Sequence, residues 1–166
     1  MNKEKEERIR VFPKQLDNSF RGNRIAVIVF ALITVFTLAR SCIHIFAPDG
    51  GASSIAGINT SVEGGSNVIS MFAFWGLAQL LMGLVYLAVF FRYKSLIPFM
   101  YMLIIIEYSG RVLIGMVKPL IVSHTPPGAI GDYILIPLAI MMLMLCFKNH
   151  ERNKLGFSYQ RRFYSN

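Results

Sequence analysis

Polar and ionisable residues inside long apolar stretches are the part of this sequence most able to do chemistry. The set is Arg40, His44, Gln79, Glu107, Arg111 and Asp132. Arg40 and His44 are spaced i,i+4, so they share one face of a helix. The same spacing relates Glu107 to Arg111. Because charge in an apolar medium is costly, such residues line a functional site or pair with one another.

The two arginines lie at the same predicted depth. Arg40 is about 15 residues beyond the start of its stretch at Ile25, and Arg111 is about 15 beyond Leu96, a rise of roughly 22 Å in each helix. Glu107 lies one turn deeper, beside Arg111. We therefore expect one polar cluster in the outer half of the bilayer. In this cluster the negative charges of Glu107 and Asp132 formally balance the positive charges of Arg40 and Arg111.

The elements that must position this cluster are four membrane-spanning helices. The chain has 166 residues, 54% hydrophobic and 16% charged, with a mean hydropathy of +0.51, whereas a soluble domain carries about 25% charged residues. A span needs about 20 mostly apolar residues, and four stretches qualify, at about 25–46, 68–91, 96–117 and 130–147. The predicted fold is all-α, an integral membrane four-helix bundle (25–147) with a basic leader (1–24) and a basic, aromatic tail (148–166). Pro137 predicts a kink in the last span.

The distribution of Lys and Arg predicts the orientation. The leader holds Lys3, Lys5, Arg8, Arg10, Lys14, Arg21 and Arg24, the turn between spans two and three holds Arg92 and Lys94, and the tail holds Lys148, Arg152, Lys154, Arg161 and Arg162. By contrast, residues 47–67 contain neither Lys nor Arg. Basic segments stay on the cytoplasmic side, so both termini are predicted to be cytoplasmic in a multi-pass protein of the cell's inner membrane. The net charge of +8 lies in these segments, which argues against nucleic acid as a partner.

Several kinds of site find no support in the sequence. His44, His124, Glu107 and Asp132 have no recognised metal-ligand spacing, so no metal site is predicted. Motifs for nucleotide binding or a serine nucleophile are absent, and no cofactor is expected. Cys42 and Cys146 fall near opposite faces of the bilayer, too far apart for a disulfide.

The first outer connection, rich in Gly and Ser, is interpreted as a flexible linker or as a lid over an outer cavity. Farther along, the order Glu107…Gly110-Arg111…Lys118-Pro119…Pro126-Pro127-Gly128 precedes a final apolar helix. This pattern and the chain length resemble small four-helix bacterial membrane proteins of the DoxX-like group. The resemblance implies a bacterial cytoplasmic membrane and carries no catalytic residues onto this chain.

Three functions fit these features. The first is non-enzymatic: an outward-facing polar cavity that binds an anionic small molecule or lipid headgroup through the two arginines. In the second, the chain is an accessory subunit of a larger membrane complex or forms a homo-oligomer. Its buried charged residues then stabilise the packing of the helices. The third is an intramembrane enzyme or proton-coupled carrier in which Glu107 or His44 titrates.

The predicted orientation is testable with an epitope tag inserted in the Gly-rich segment 63–67. An impermeant reagent should reach this tag on intact cells, because the connections on its side contain no Lys or Arg except Lys118. A tag at the C-terminus is the control and should react only after lysis. The reverse pattern would contradict the topology.

Overall fold

The computed structural model describes residues 11–13 and 15–163, with side chains described as far as Lys148. The helices are α1 (Arg24–Phe46), α2 (Gly65–Arg92), α3 (Ile97–Val117) and α4 (Pro127–Phe163), with a short 3₁₀ turn at Lys94–Leu96. All regular structure in this part of the chain is helical. All four α-helices are long and apolar enough to cross a membrane, as predicted.

Two helices extend beyond the predicted spans. α2 begins at Gly65 instead of Val68, and α4 runs from Pro127 to Phe163 instead of 130–147. Pro127 suits the first position of a helix. An N–H group at that position would have no carbonyl partner within the helix, so the lack of one in proline costs no hydrogen bond. The stretch of α4 that is long and apolar enough to span is Pro127–Lys148. Many basic and aromatic residues of the predicted leader and tail lie outside the described residues or have no described side chain. They are Lys3, Lys5, Arg8, Arg10, Lys14, Arg152, Lys154, Phe157, Tyr159, Arg161, Arg162, Phe163 and Tyr164.

The bundle consists of two close helix pairs. α1 packs along α2, and α3 packs along α4, whereas α2 and α3 touch at few places although the 3₁₀ turn joins them. Gly76 and Gly83 let α1 approach α2. A Cβ added at Gly76 would lie 2.6 Å from the Cβ of His44, and one added at Gly83 would lie 2.7 Å from Leu38 Cδ2. Small residues at a helix contact permit such close packing in a membrane.

A buried aromatic cluster joins α1, α2 and α3 near the 3₁₀ turn. The ring of Phe30 lies 5.4 Å from that of Tyr86 and 5.9 Å from that of Tyr101. The Tyr101 hydroxyl donates a hydrogen bond to the Ala26 carbonyl at 2.6 Å, which satisfies a polar atom that an apolar core would otherwise penalise. This cluster fixes the turn end of the bundle.

The outer faces of the helices are apolar. Met71 and Phe74 on α2 are 70% and 72% exposed, and Leu32 on α1 and Leu113 on α3 are 64% and 63% exposed. Apolar side chains exposed on every side of a bundle match contact with lipid and not with water.

The α1–α2 contact predicts which glycines tolerate a methyl group. Gly76→Ala should destabilise the protein by about 1–3 kcal/mol, because its Cβ meets the Cβ and backbone of α1. Gly110→Ala is the matched control, since nothing lies within 4 Å of its added Cβ, and alanine favours a helix by about 0.5–1 kcal/mol. Thermal unfolding in detergent measures both. Equal stability of the two variants would contradict the close contact.

Candidate functional site

The predicted polar residues gather toward one end of the bundle. This end, called the loop end, carries the connections 47–64 and 118–126. Arg40 and His44 lie in the last two turns of α1, Arg111 lies in the last two turns of α3, and Asp132 lies in the second turn of α4. Because successive helices run in opposite directions, these positions reach the same level.

Trp75 of α2 lies at the centre of the cluster. The guanidinium carbons of Arg40 and Arg111 lie 4.9 Å and 5.0 Å from the centroid of its ring. The ring of His44 stacks on the same indole, with centroids 4.8 Å apart and planes at 30°. Cation–π contacts with the indole face stabilise guanidinium groups that are short of water. They do not neutralise the two positive charges.

His44 is held as a neutral imidazole by its two hydrogen bonds. Its Nδ1 lies 2.7 Å from the carbonyl oxygen of Gly50, which only accepts, so Nδ1 carries the proton. Its Nε2 therefore accepts from Nε of Arg40, at 3.3 Å. His44 orients the Arg40 side chain and ties α1 to the first outer connection.

The two arginines have different partners. Arg111 forms an intrahelical ion pair with Glu107 and stacks on Tyr108, with Cζ 5.0 Å from that ring centroid. Its side chain is 18% exposed, against 39% for Glu107. Arg40 forms no ion pair with a carboxylate in the described part of the chain, although Asp132 lies near enough to interact with it electrostatically.

Arg40 packs against the beginning of α4. A Cβ added at Gly128 would lie 3.1 Å from Nη2 of Arg40. The N-terminal end of a helix carries a partial positive charge. The first turn of α4 has no acidic residue to compensate this charge, so the guanidinium of Arg40 lies beside a second positive group. On the next turn, Oδ1 of Asp132 is buried without a hydrogen-bond partner among the described residues. Arg40 and Asp132 form no direct ion pair.

A cavity of about 240 Å³ adjoins the cluster between α1, α2 and α3. It is lined by Ile33, Thr37, Trp75, Ala78, Gln79, Met82, Tyr86, Glu107 and Tyr108. Gln79 is only 8% exposed, and within the described residues its Oε1 has no hydrogen-bond partner. A buried amide oxygen without a partner costs about 1–3 kcal/mol. This cavity therefore contains a polar group that requires a hydrogen-bond donor.

The first outer connection, interpreted from the sequence as a flexible linker or as a lid, is folded. Asp49 accepts hydrogen bonds from the backbone N–H groups of Gly51, Ser53 and Ser54 and from the Ser53 hydroxyl. These bonds, that from Ser54 above all, hold the pKa of the Asp49 carboxyl below its usual value. Gly50, at φ +58°, takes the left-handed conformation that glycine readily adopts.

The second outer connection packs onto the first. The Ser123 N–H donates to the Gly57 carbonyl at 2.9 Å, and Nε2 of His124 lies 3.3 Å from the Ile55 carbonyl oxygen. His124 thus contacts the loop and lies apart from the Trp75 cluster. Among the described residues, no group of three or more His, Cys, Asp and Glu side chains is arranged to hold a metal ion.

The sequence named six candidate residues, and the structure brings four of them close to one another. Arg40, His44 and Arg111 meet at Trp75, and Glu107 joins them through Arg111. Gln79 lies one helical turn from Trp75 and lines the cavity. Asp132 interacts with both arginines only over a longer distance.

Sequence reasoning missed Trp75, Tyr108 and Gly128. Trp75 precedes Gln79 by one helical turn, so its position on the polar face of α2 was available as a signal. Gly128 gave no comparable signal, because its role depends on where α4 begins relative to α1. A comparison of the chain with protein-family models, curated proteins and solved structures finds no match, and the DoxX-like resemblance stays a prediction.

The carboxylate of Asp49 should control the order of the first outer connection. Asp49→Ala should speed hydrogen exchange at residues 50–57 by at least about 10-fold, because it removes several hydrogen bonds to a charged acceptor. Because the pKa of the Asp49 carboxyl is lowered in the folded connection, its charged form stabilises that connection at every pH above the ordinary pKa of 3.8. This stabilisation is lost only as the pH falls through the lowered pKa. In the wild type, exchange corrected for intrinsic rates should therefore not change between pH 7 and pH 5.

Asp17→Ala provides the control, since the Asp17 carboxylate bonds Ser19, at the other end of the bundle. If hydrogen exchange at residues 50–57 is equally fast in the Asp17 and Asp49 variants, the Asp49 carboxylate does not order the connection.

Proposed function

We propose that this protein is a multi-pass protein of the inner membrane, with cytoplasmic termini, and that it binds an anionic group at Arg40 and Arg111. The group is a phosphate or carboxylate, carried by a lipid headgroup or by a small anion. The observation that supports this most is that two guanidinium groups flank one indole ring, and only one of them has a carboxylate partner among the described residues.

Charge balance around Arg40 favours an anion. Arg40 lies beside a second arginine and beside the beginning of α4, a helix end with partial positive charge. The nearest acidic residue on α4, Asp132, does not pair with it directly. A phosphate or carboxylate would accept charge-assisted hydrogen bonds from the guanidinium nitrogens and from free N–H groups at this helix end.

The packing around each arginine favours an oxyanion as the ligand. Arg40 is held in place by His44 and the indole, and Arg111 is held by Glu107 and Tyr108. Planar guanidinium groups fixed by packing lose little entropy on binding and favour the bidentate geometry of oxyanions.

A structural accessory subunit is the second candidate, and the Glu107–Arg111 ion pair favours it. This pair neutralises half of the cluster within one helix, in the order that stabilises helices. Under this function the remaining charges stabilise the bundle, and removing them lowers stability without changing ligand content.

The two candidates are separated by arginine substitutions. Arg40→Gln and Arg111→Gln should each weaken binding of an anionic phospholipid by about 10- to 100-fold, since a hydrogen bond to a charged group contributes about 1.5–3 kcal/mol. Native mass spectrometry of delipidated protein titrated with phosphatidylglycerol measures the affinity. Glycerol 3-phosphate titrated alone separates a free anion from a lipid headgroup.

Arg92→Gln is the control, because Arg92 is exposed at the opposite end of α2. Arg40→Lys keeps the charge but loses the planar donor set, and we expect an intermediate affinity. Thermal unfolding verifies that each variant is folded. Undiminished affinity in both folded glutamine variants would refute anion binding at this site.

A further inference from the structure

The cavity beside Trp75 indicates which class of anion the site takes. We propose that the ligand is an amphiphile from the bilayer, with its anionic group at the two arginines and the adjoining segment of its chain in the cavity. On this proposal the ligand enters from the side, between α2 and α3. The inference rests on the proposed anion-binding function and adds the ligand class and the route.

The outer connections cover the aqueous route to the cluster. Ala52 is fully buried, and Gly50, Gly51 and Gly57 are buried as well. The hydrogen bond from His44 to Gly50 attaches this connection directly above the indole. Ser123 and His124 then hold the second connection against the first. This packed layer narrows the approach of a water-soluble anion on the side of His44, while Arg40 is half-buried.

The side of the bundle between α2 and α3 is open by comparison. The two helices diverge from the 3₁₀ turn and touch at few places. Ala78 and Met82, one turn apart on α2, are exposed although they line the cavity. Across the gap, the Glu107 side chain is 39% exposed. A molecule in the bilayer therefore has lateral access to the cavity.

The size and lining of the cavity match part of an amphiphile. Its volume of about 240 Å³ lies below the roughly 300–1,000 Å³ that encloses a whole drug-sized ligand. A ligand bound there would extend beyond it, into lipid. Along α2 the lining runs from Trp75 past Gln79 to Met82, so apolar side chains lie beside polar ones in the cavity.

Gln79 adds a requirement for a hydrogen-bond donor next to the charged group. Its buried Oε1 has no partner among the described residues, and it lies one turn from the indole that carries both arginines. A hydroxyl adjoining the phosphate would meet this acceptor. A monoacyl glycerol phosphate has all three parts: a phosphate, a hydroxyl and one chain.

Two probes that differ only in the acyl chain test the inference. Monoacyl glycerol phosphate and glycerol 3-phosphate are each titrated into delipidated protein in detergent, and binding is followed by thermal shift and native mass spectrometry. The wild type should bind the acylated probe at least about 10-fold more tightly, since the buried chain adds apolar contact. Ala78→Phe should lower that affinity about 10-fold by filling the cavity, and lower the affinity for glycerol 3-phosphate by clearly less.

Ala88→Phe is the matched control, because Ala88 is an exposed alanine of the same helix that does not line the cavity. It should leave both affinities unchanged. If the two probes bind the wild type equally, or Ala78→Phe affects the acylated probe no more than Ala88→Phe does, the amphiphile inference is wrong. Anion binding itself would still stand if Arg40→Gln weakens glycerol 3-phosphate binding. If neither probe binds the wild type, the proposed function fails as well.

Discussion

The arrangement of Arg40 and Arg111 around Trp75 is the interaction on which the account of this protein depends. Two guanidinium groups inside an apolar bundle repel each other and lack bulk water. The indole face, the neutral imidazole of His44 and the carboxylate of Glu107 together offset part of that cost. Arg40, beside the first turn of α4, has no direct ion pair with a carboxylate of the described residues. An oxyanion at this point would complete the electrostatics, and this links the fold to the proposed function.

The rest of the structure holds this arrangement in place. Close packing at Gly76 brings α2 against His44, and so determines how near the indole lies to Arg40. The aromatic cluster around Phe30 fixes the other end of the bundle. Because α1–α2 and α3–α4 pack as pairs, α2 and α3 contact each other at few places. The opening between them lies beside the two cations.

The fold was predictable from the sequence to a large extent, and the site only in part. Helical rise alone put Arg40 and Arg111 at one level, and the i,i+4 spacing of Glu107 and Arg111 predicted their ion pair. The pairing of Arg40 with Asp132 was not decidable from spacing, because it depends on how α4 is rotated against α1. The order of the first outer connection was missed because its Gly and Ser composition suggests flexibility, whereas one carboxylate, Asp49, organises it through hydrogen bonds. The orientation in the membrane stays a prediction based on Lys and Arg placement.

Trp75 is the only tryptophan of the chain, so its fluorescence reports directly on the central arrangement. The most direct measurement is its emission during titration of the detergent-solubilised protein with an anionic phospholipid, against a zwitterionic lipid of the same chains. Binding at the arginines predicts a saturable change with the anionic lipid that is much weaker in Arg40→Gln. Emission that does not respond, or that responds equally to both lipids and in both proteins, would contradict the account.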